Sequence, residues 1–184
     1  MASGLFFGLY FVVHLLHQAT AALGRASYDS FGSALNRLLL ERHLDLVFVW
    51  LPLLVHLGST VALRIHSREI RGSLRKRLSV WTGYAVLLIV PFHVWGTRIA
   101  PAAANGYDLV VKRVTDEGLL FYGYLLVFTA LAVVHVAAGT INSVHQVVKD
   151  RGQRTLVDRV IIAVAALLFV AVLLGVFAFR ATGV

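Results

Sequence analysis

Five long apolar runs divide this sequence and leave it few folds to adopt. They lie near residues 3–24, 44–64, 79–99, 119–142 and 159–179. At about 1.5 Å of rise per residue, each is long enough as a helix to cross a hydrocarbon core of roughly 30 Å, which takes about 20 residues. Hydrocarbon offers no partner to a free N–H or C=O, so a spanning segment must satisfy its backbone internally, and runs of this length do so as helices. The expected fold is an all-α integral membrane protein: one membrane domain over residues 1–184, with five transmembrane helices. The first run lacks a basic leader, exceeds a signal-peptide core in length and is followed by four more, so it is expected to be a retained span. A chain that is 59% hydrophobic and only 14% charged lies outside the range of soluble domains.

The charges respect this division. All 17 Lys and Arg and all 9 Asp and Glu fall in connections, at span edges or near the C-terminus. The connection after the second run carries Arg64, Arg68, Arg71, Arg75, Lys76 and Arg77 against Glu69, and that after the fourth carries Lys149, Arg151, Arg154 and Arg159. In the other two, Arg25, Arg37 and Arg42, and Arg98, Lys112 and Arg113, are balanced by acids. By the positive-inside rule the second and fourth connections are expected in the cytoplasm, with the N-terminus inside and the C-terminus outside. The net charge of +8 is then a topology signal. No soluble domain presents it to nucleic acid, which is not an expected partner. Residues 25–43 and 100–118 can form short amphipathic helices capping the outer face; Leu35, Leu38 and Leu39 beside Arg37 and Arg42 suggest one. The absence of cysteine excludes disulfides, thiolate-ligated iron–sulfur clusters and covalent c-type haem within this chain.

Eight histidines remain to be explained. His43, His66 and His145 lie at span ends or in loops, where an imidazole is unremarkable. His14, His56, His93 and His135 instead fall deep in the first four spans, one in each, while the fifth span has none. Ionisable side chains at membrane depth are costly and mark functional positions. Alternate spans run in opposite directions, so depth can be counted from the ends. His56 lies about 12 Å before Arg64 and His135 at a similar distance from its inner end, whereas His93 comes about 21 Å after its inner end and His14 is central to outer. By depth they pair as His56 with His135 and His14 with His93. Two stacked pairs of neutral imidazoles suit two b-type haems, each iron held from both sides. Gly8, Gly58, Ser59, Gly83 and Gly139 leave room for a flat macrocycle. Each ligand's other ring nitrogen can reach the carbonyl four residues earlier, at Tyr10, Pro52, Ile89 and Leu131. Pro52 and Pro91 are tolerable where neighbouring groups satisfy the freed carbonyls.

These residues resemble the diheme cytochrome b membrane anchor of succinate dehydrogenase and fumarate reductase, the single-subunit, five-helix type. The resemblance rests on GLFFGLYFVVH in the first span, LVHLGS around His56, WTGYAVLLIVPFH before and including His93, and VVHVAAG around His135. It implies that His56 and His135 hold the haem iron nearer a cytoplasmic iron–sulfur subunit, and His14 and His93 the outer one. It implies a flavoprotein beyond the iron–sulfur subunit, where the dicarboxylate chemistry of the tricarboxylic acid cycle takes place. It further implies electron transport through this chain to or from a respiratory-chain quinone, menaquinone or ubiquinone. Some fumarate reductases of the family carry an acid two positions before the fourth-span ligand, tied to proton movement; here that position is Val133, so the resemblance does not extend to that path. His17 could face a quinone, replace His14 as ligand or be an interfacial histidine, the reading preferred here. Two other classes are open. A diheme membrane sensor joined to a signalling enzyme such as an adenylate cyclase would need a cytoplasmic C-terminus. A haem-free proton-relaying transporter would be expected to carry intramembrane carboxylates, which the spans lack.

Overall fold

The structure, a computed structural model, describes residues 2–39, 44, 46–66, 73–99 and 106–181. Arg42, His43, Arg68, Glu69, Arg71 and Val184 lie outside the described residues, as do the side chains of Arg64, His66 and Arg98. The elements are helices throughout. Helix α1 (Ala2–Ala19) continues into a 3₁₀ turn at Thr20–Leu23, and α2 (Arg25–Leu39) follows. A π-helical turn at Leu46–Trp50 leads into α3 (Leu51–His66). Helix α4 (Leu74–Val94) ends in a second π-helical turn at Trp95–Ile99. Then come α5 (Tyr107–Glu117), α6 (Leu119–Val147) and α7 (Arg151–Ala181). Five of them are long and apolar enough to cross a membrane, over Gly4–Leu23, Leu46–Leu63, Leu74–Thr97, Leu119–Val147 and Arg151–Phe179. The chain is an all-α, multi-pass membrane protein.

Two helices start earlier than hydropathy places their spans. Helix α4 begins at Leu74 rather than near 79, with the Ser73 hydroxyl accepting from the Lys76 N–H, and α7 begins at Arg151 rather than near 159, with Asp150 Oδ1 accepting from the Gln153 N–H at 2.8 Å. Hydropathy marks the edge of the hydrocarbon, whereas backbone hydrogen bonding sets the helix end, and Arg, Lys and Gln are good helix formers. The basic first turns therefore extend the helices beyond the apolar core.

Helix α1 packs on α3 and α4 on α6, while α7 lies against both α1 and α6. The fifth span is thus no bystander: Val172 and Val176 are buried against Leu15 of α1 and Val133 of α6. Lipid is as apolar as these side chains, so the association rests on close packing. Gly175 shows how close, since a Cβ there would run into the Gln18 carbonyl. Val133 is part of this apolar contact.

The connections expected to carry short helices do so over Arg25–Leu39 and Tyr107–Glu117, and these two helices make a cap. Tyr28 of α2, Tyr107 and Val114 of α5, Ala21 and Phe179 form one buried cluster. Gly24 at φ 95° and Gly118 at φ 55° turn the corners into α2 and α6 in a backbone region that side chains disfavour. Asp29 Oδ1 accepts from the Tyr107 N–H at 2.9 Å, and Arg25 bridges Asp29 and Asp108. Burial pushes the Tyr28 phenol up to about 12, and its hydroxyl donates to Gln18 Oε1.

Each span proline sits beside a π-helical turn, Pro52 just after Leu46–Trp50 and Pro91 just before Trp95–Ile99. A proline removes one intrahelical bond, and a widened turn is one local adjustment that re-satisfies the backbone.

Candidate histidine pairs across the bundle

The four deep histidines meet two by two. His56 on α3 faces His135 on α6 with ring centroids 6.2 Å apart and planes at 68°. His14 on α1 faces His93 on α4 with centroids 5.9 Å apart and planes at 81°. Ten residues of α4 separate Gly83, which lies against the His135 ring, from His93, so the pairs are stacked about 15 Å apart along the bundle.

The second ring nitrogens find partners on neighbouring helices. His135 Nδ1 lies 2.8 Å from the Ser79 carbonyl of α4, and His93 Nδ1 lies 2.7 Å from the Tyr124 hydroxyl of α6. This corrects the expectation that Leu131 and Ile89 take those bonds. A ring reaching across the bundle carries its other nitrogen away from its own backbone, so the acceptor comes from the adjoining helix. A carbonyl only accepts, so His135 carries its proton on Nδ1, and its Nε2 lone pair is free for a metal. The His56 and His93 carbonyls each receive a threonine hydroxyl one turn on, Thr60 and Thr97, both at 2.8 Å.

The glycines serve partners other than those expected. A Cβ on Gly83 would come within 2.8 Å of His135 Cε1, so this residue makes room for the opposite pair rather than for His93. A Cβ on Gly4 would meet the His56 ring at 3.1 Å. Gly8 faces a Val136 methyl, Gly139 faces Ser79 Oγ, and nothing lies within 4 Å of a Cβ at Gly58. Sequence reasoning passed over Gly4, Ser79 and Tyr124. Only Tyr124 left a signal, being eleven residues or three turns before His135 and hence on the same face of α6.

His17 belongs to the cap. Its ring stacks on Phe31 at 9° and packs 4.1 Å from Tyr28, its Nε2 lies 3.1 Å from the Tyr28 carbonyl, and Gly32 gives it room. That nitrogen must donate, because its partner is a carbonyl. His145 also has more to do than its position at a span end suggested: it joins Arg75, Asn142 and Asp158 at the basic end of the bundle.

Among the described residues no three or more His, Cys, Asp or Glu gather where they could hold a metal ion. Two imidazoles alone are a poor cage for a bare ion, but they fit a flat macrocycle that brings its own four equatorial nitrogens. Two metal–nitrogen bonds of about 2 Å plus the two half-rings add to roughly 6 Å, the separation seen in both pairs. The donors, the second bond on His135 and the room at Gly4 and Gly83 all suit axial ligation of haem.

Comparison with known proteins points the same way. The chain is similar to the succinate dehydrogenase cytochrome b558 subunit of Bacillus subtilis (strain 168), with 26% identity over 140 residues that cover 72% of this chain and 68% of the relative. That likeness supports the cytochrome b anchor resemblance. No protein-family model matches the chain, and no solved structure matches it.

Proposed function

We propose that this chain is the membrane-anchoring cytochrome b subunit of a succinate:quinone oxidoreductase, holding two haems b between His56 and His135 and between His14 and His93. The observation that carries the reading is the facing of the four deep histidines in two pairs at two depths, each about the separation a shared iron needs. Haem b, when bound, supplies a one-electron carrier. The chain's own residues do the rest. Two imidazoles at each depth would hold the iron from both sides, leaving no open position there for oxygen or substrate. The Ser79 carbonyl and the Tyr124 hydroxyl orient two of them, and the apolar spans exclude water. The stacking along the bundle provides a route from one membrane face to the other.

One end of that route is the basic end formed by the starts of α4 and α7, which the charge rule assigns to the cytoplasm. It is the face for an iron–sulfur subunit with a flavoprotein beyond it. The relative's name supports such partners, and this chain, with no cysteine, cannot hold an iron–sulfur cluster of its own on thiolates. A membrane quinone exchanges electrons at the other end of the route. The test is affinity purification from the native membrane. Co-purification of an iron–sulfur protein and a flavoprotein, with succinate:quinone activity, is expected. Recovery of a cyclase or of no partner, with no such activity, would overturn the reading.

A further inference from the structure

At the basic end of the bundle, Arg75 in the first turn of α4 is held from three sides. Its Nε donates to Asn142 Oδ1 at 3.0 Å and its Nη1 to Asp158 Oδ2 at 3.2 Å, while its Nη2 lies 3.1 Å from His145 Nδ1. His145 Nε2 in turn lies 2.7 Å from Asp158 Oδ1. A guanidinium can only donate, so His145 Nδ1 is the acceptor, its proton sits on Nε2, and that N–H donates to Asp158. The ring of three side chains then closes with each donor matched to an acceptor. Arg154 adds bonds to the His145 and Val148 carbonyls at 3.1 and 2.7 Å. The latch joins α4, α6 and α7, and its side chains are sheltered, 32% exposed at Arg75, 27% at Asp158 and 17% at His145.

Its place on the helices matters. Arg75, Ser79 and Gly83 are spaced by four and line one face of α4. Asn142 follows His135 by seven residues, two turns, and shares its face of α6. Along this one strip Arg75 grips Asn142 and His145, Ser79 gives its carbonyl to His135 Nδ1, and Gly83 makes room for the His135 ring. Apolar packing between helices has no strong directional preference, whereas three bonds from a rigid planar fork do.

We propose that Arg75 is a positioning residue, whose latch fixes the register of α4 against α6 and so aims the Ser79 carbonyl at His135. Its functional consequence rests on the haem reading above: the latch sets the orientation and basicity of one axial imidazole of the haem nearer the basic end. Outer-shell partners of metal ligands act in this way, and their loss typically costs about 10–100-fold in affinity.

The experiment uses the complex purified from native membranes, with R75Q, R75K, D158N, the double R75Q/D158N and the milder N142A. Haem content, the midpoint potential of each haem and its low-spin electron paramagnetic resonance signal are read, with circular dichroism as a check on folding. R75Q and R75K are expected to shift the signal and potential of the His56/His135 haem and to weaken its retention about tenfold, leaving the His14/His93 haem unchanged. R75K should not rescue, because a single ammonium cannot replace the fork. The double variant should be no worse than its worse parent, since both break one latch. N142A should shift the same haem in the same direction by less, and it serves if R75Q fails to fold. An unchanged His56/His135 haem in folded variants, or equal disturbance of both haems, would overturn the proposal. If the wild-type protein holds no haem, the haem reading falls. The proposal is then decided by the ¹⁵N resonance of His135 Nδ1 in labelled protein, displaced in R75Q if Arg75 positions it and unmoved if not.

Discussion

The Tyr124 hydroxyl lies 2.7 Å from Nδ1 of His93, one helix away. That bond takes one ring nitrogen of His93 and leaves Nε2 for the partner side, where His14 sits. Its counterpart at His135 is a backbone carbonyl. A carbonyl fixes the tautomer outright, whereas a phenol can donate or accept, so the two pairs have unequal support. Tyr124→Phe should therefore weaken binding of the His14/His93 haem by about tenfold or more and spare the other. Reduced-minus-oxidised spectra with haem quantitation check this, and equal loss of both haems would speak against it.

Gly83 and Gly58 offer a paired test of the room around the rings. A Cβ at Gly83 would press on the His135 ring, while one at Gly58 meets nothing within 4 Å. Gly83→Val should lose the His56/His135 haem, and Gly58→Ala should keep both. A Gly83→Val protein with normal haem content would show that the ring is free to move aside.

Each pair should also fail separately. His56→Ala or His135→Ala should remove the haem at that depth or convert it to high spin, because one axial nitrogen is gone, while the low-spin signal of the His14/His93 haem persists. Loss of the other haem alone would overturn the assignment of pairs.

How far the sequence reached depended on the kind of signal. The five spans were plain because hydrocarbon demands long uninterrupted helices; α2 was expected where Leu35, Leu38 and Leu39 lie beside Arg37, and α5 only from the length of its connection. Depth counting joined His56 to His135 and His14 to His93, since rise per residue is nearly constant, and ring contacts join the same residues. Contacts between helices left no such trace. Ser79 is an ordinary serine until α4 is set against α6. Gly83 reads as belonging to His93, on its own helix, until packing places it against His135. His145 reads as an interfacial histidine because Asp158 and Arg75 lie on other helices. The early starts of α4 and α7 were hidden because charge ends an apolar run without ending a helix.

The cap built on Tyr28 should loosen in alkali. Burial raises the Tyr28 phenol from 10.0 to about 12, so the open cap releases this proton first and the closed cap holds it. The stabilisation from the neutral buried phenol is therefore complete below pH 10 and is lost as pH rises toward 12. Protease nicking within α2 should rise over that window, and Tyr28→Phe should remove the dependence. Nicking that is flat with pH in the parent protein would refute this.

The most direct test of the account is the number of haems per chain, measured by pyridine haemochrome assay on purified protein of known concentration. Four deep imidazoles in two facing pairs, with no cysteine for covalent attachment, predict two non-covalent haems b per chain. No haem, or one, would contradict it.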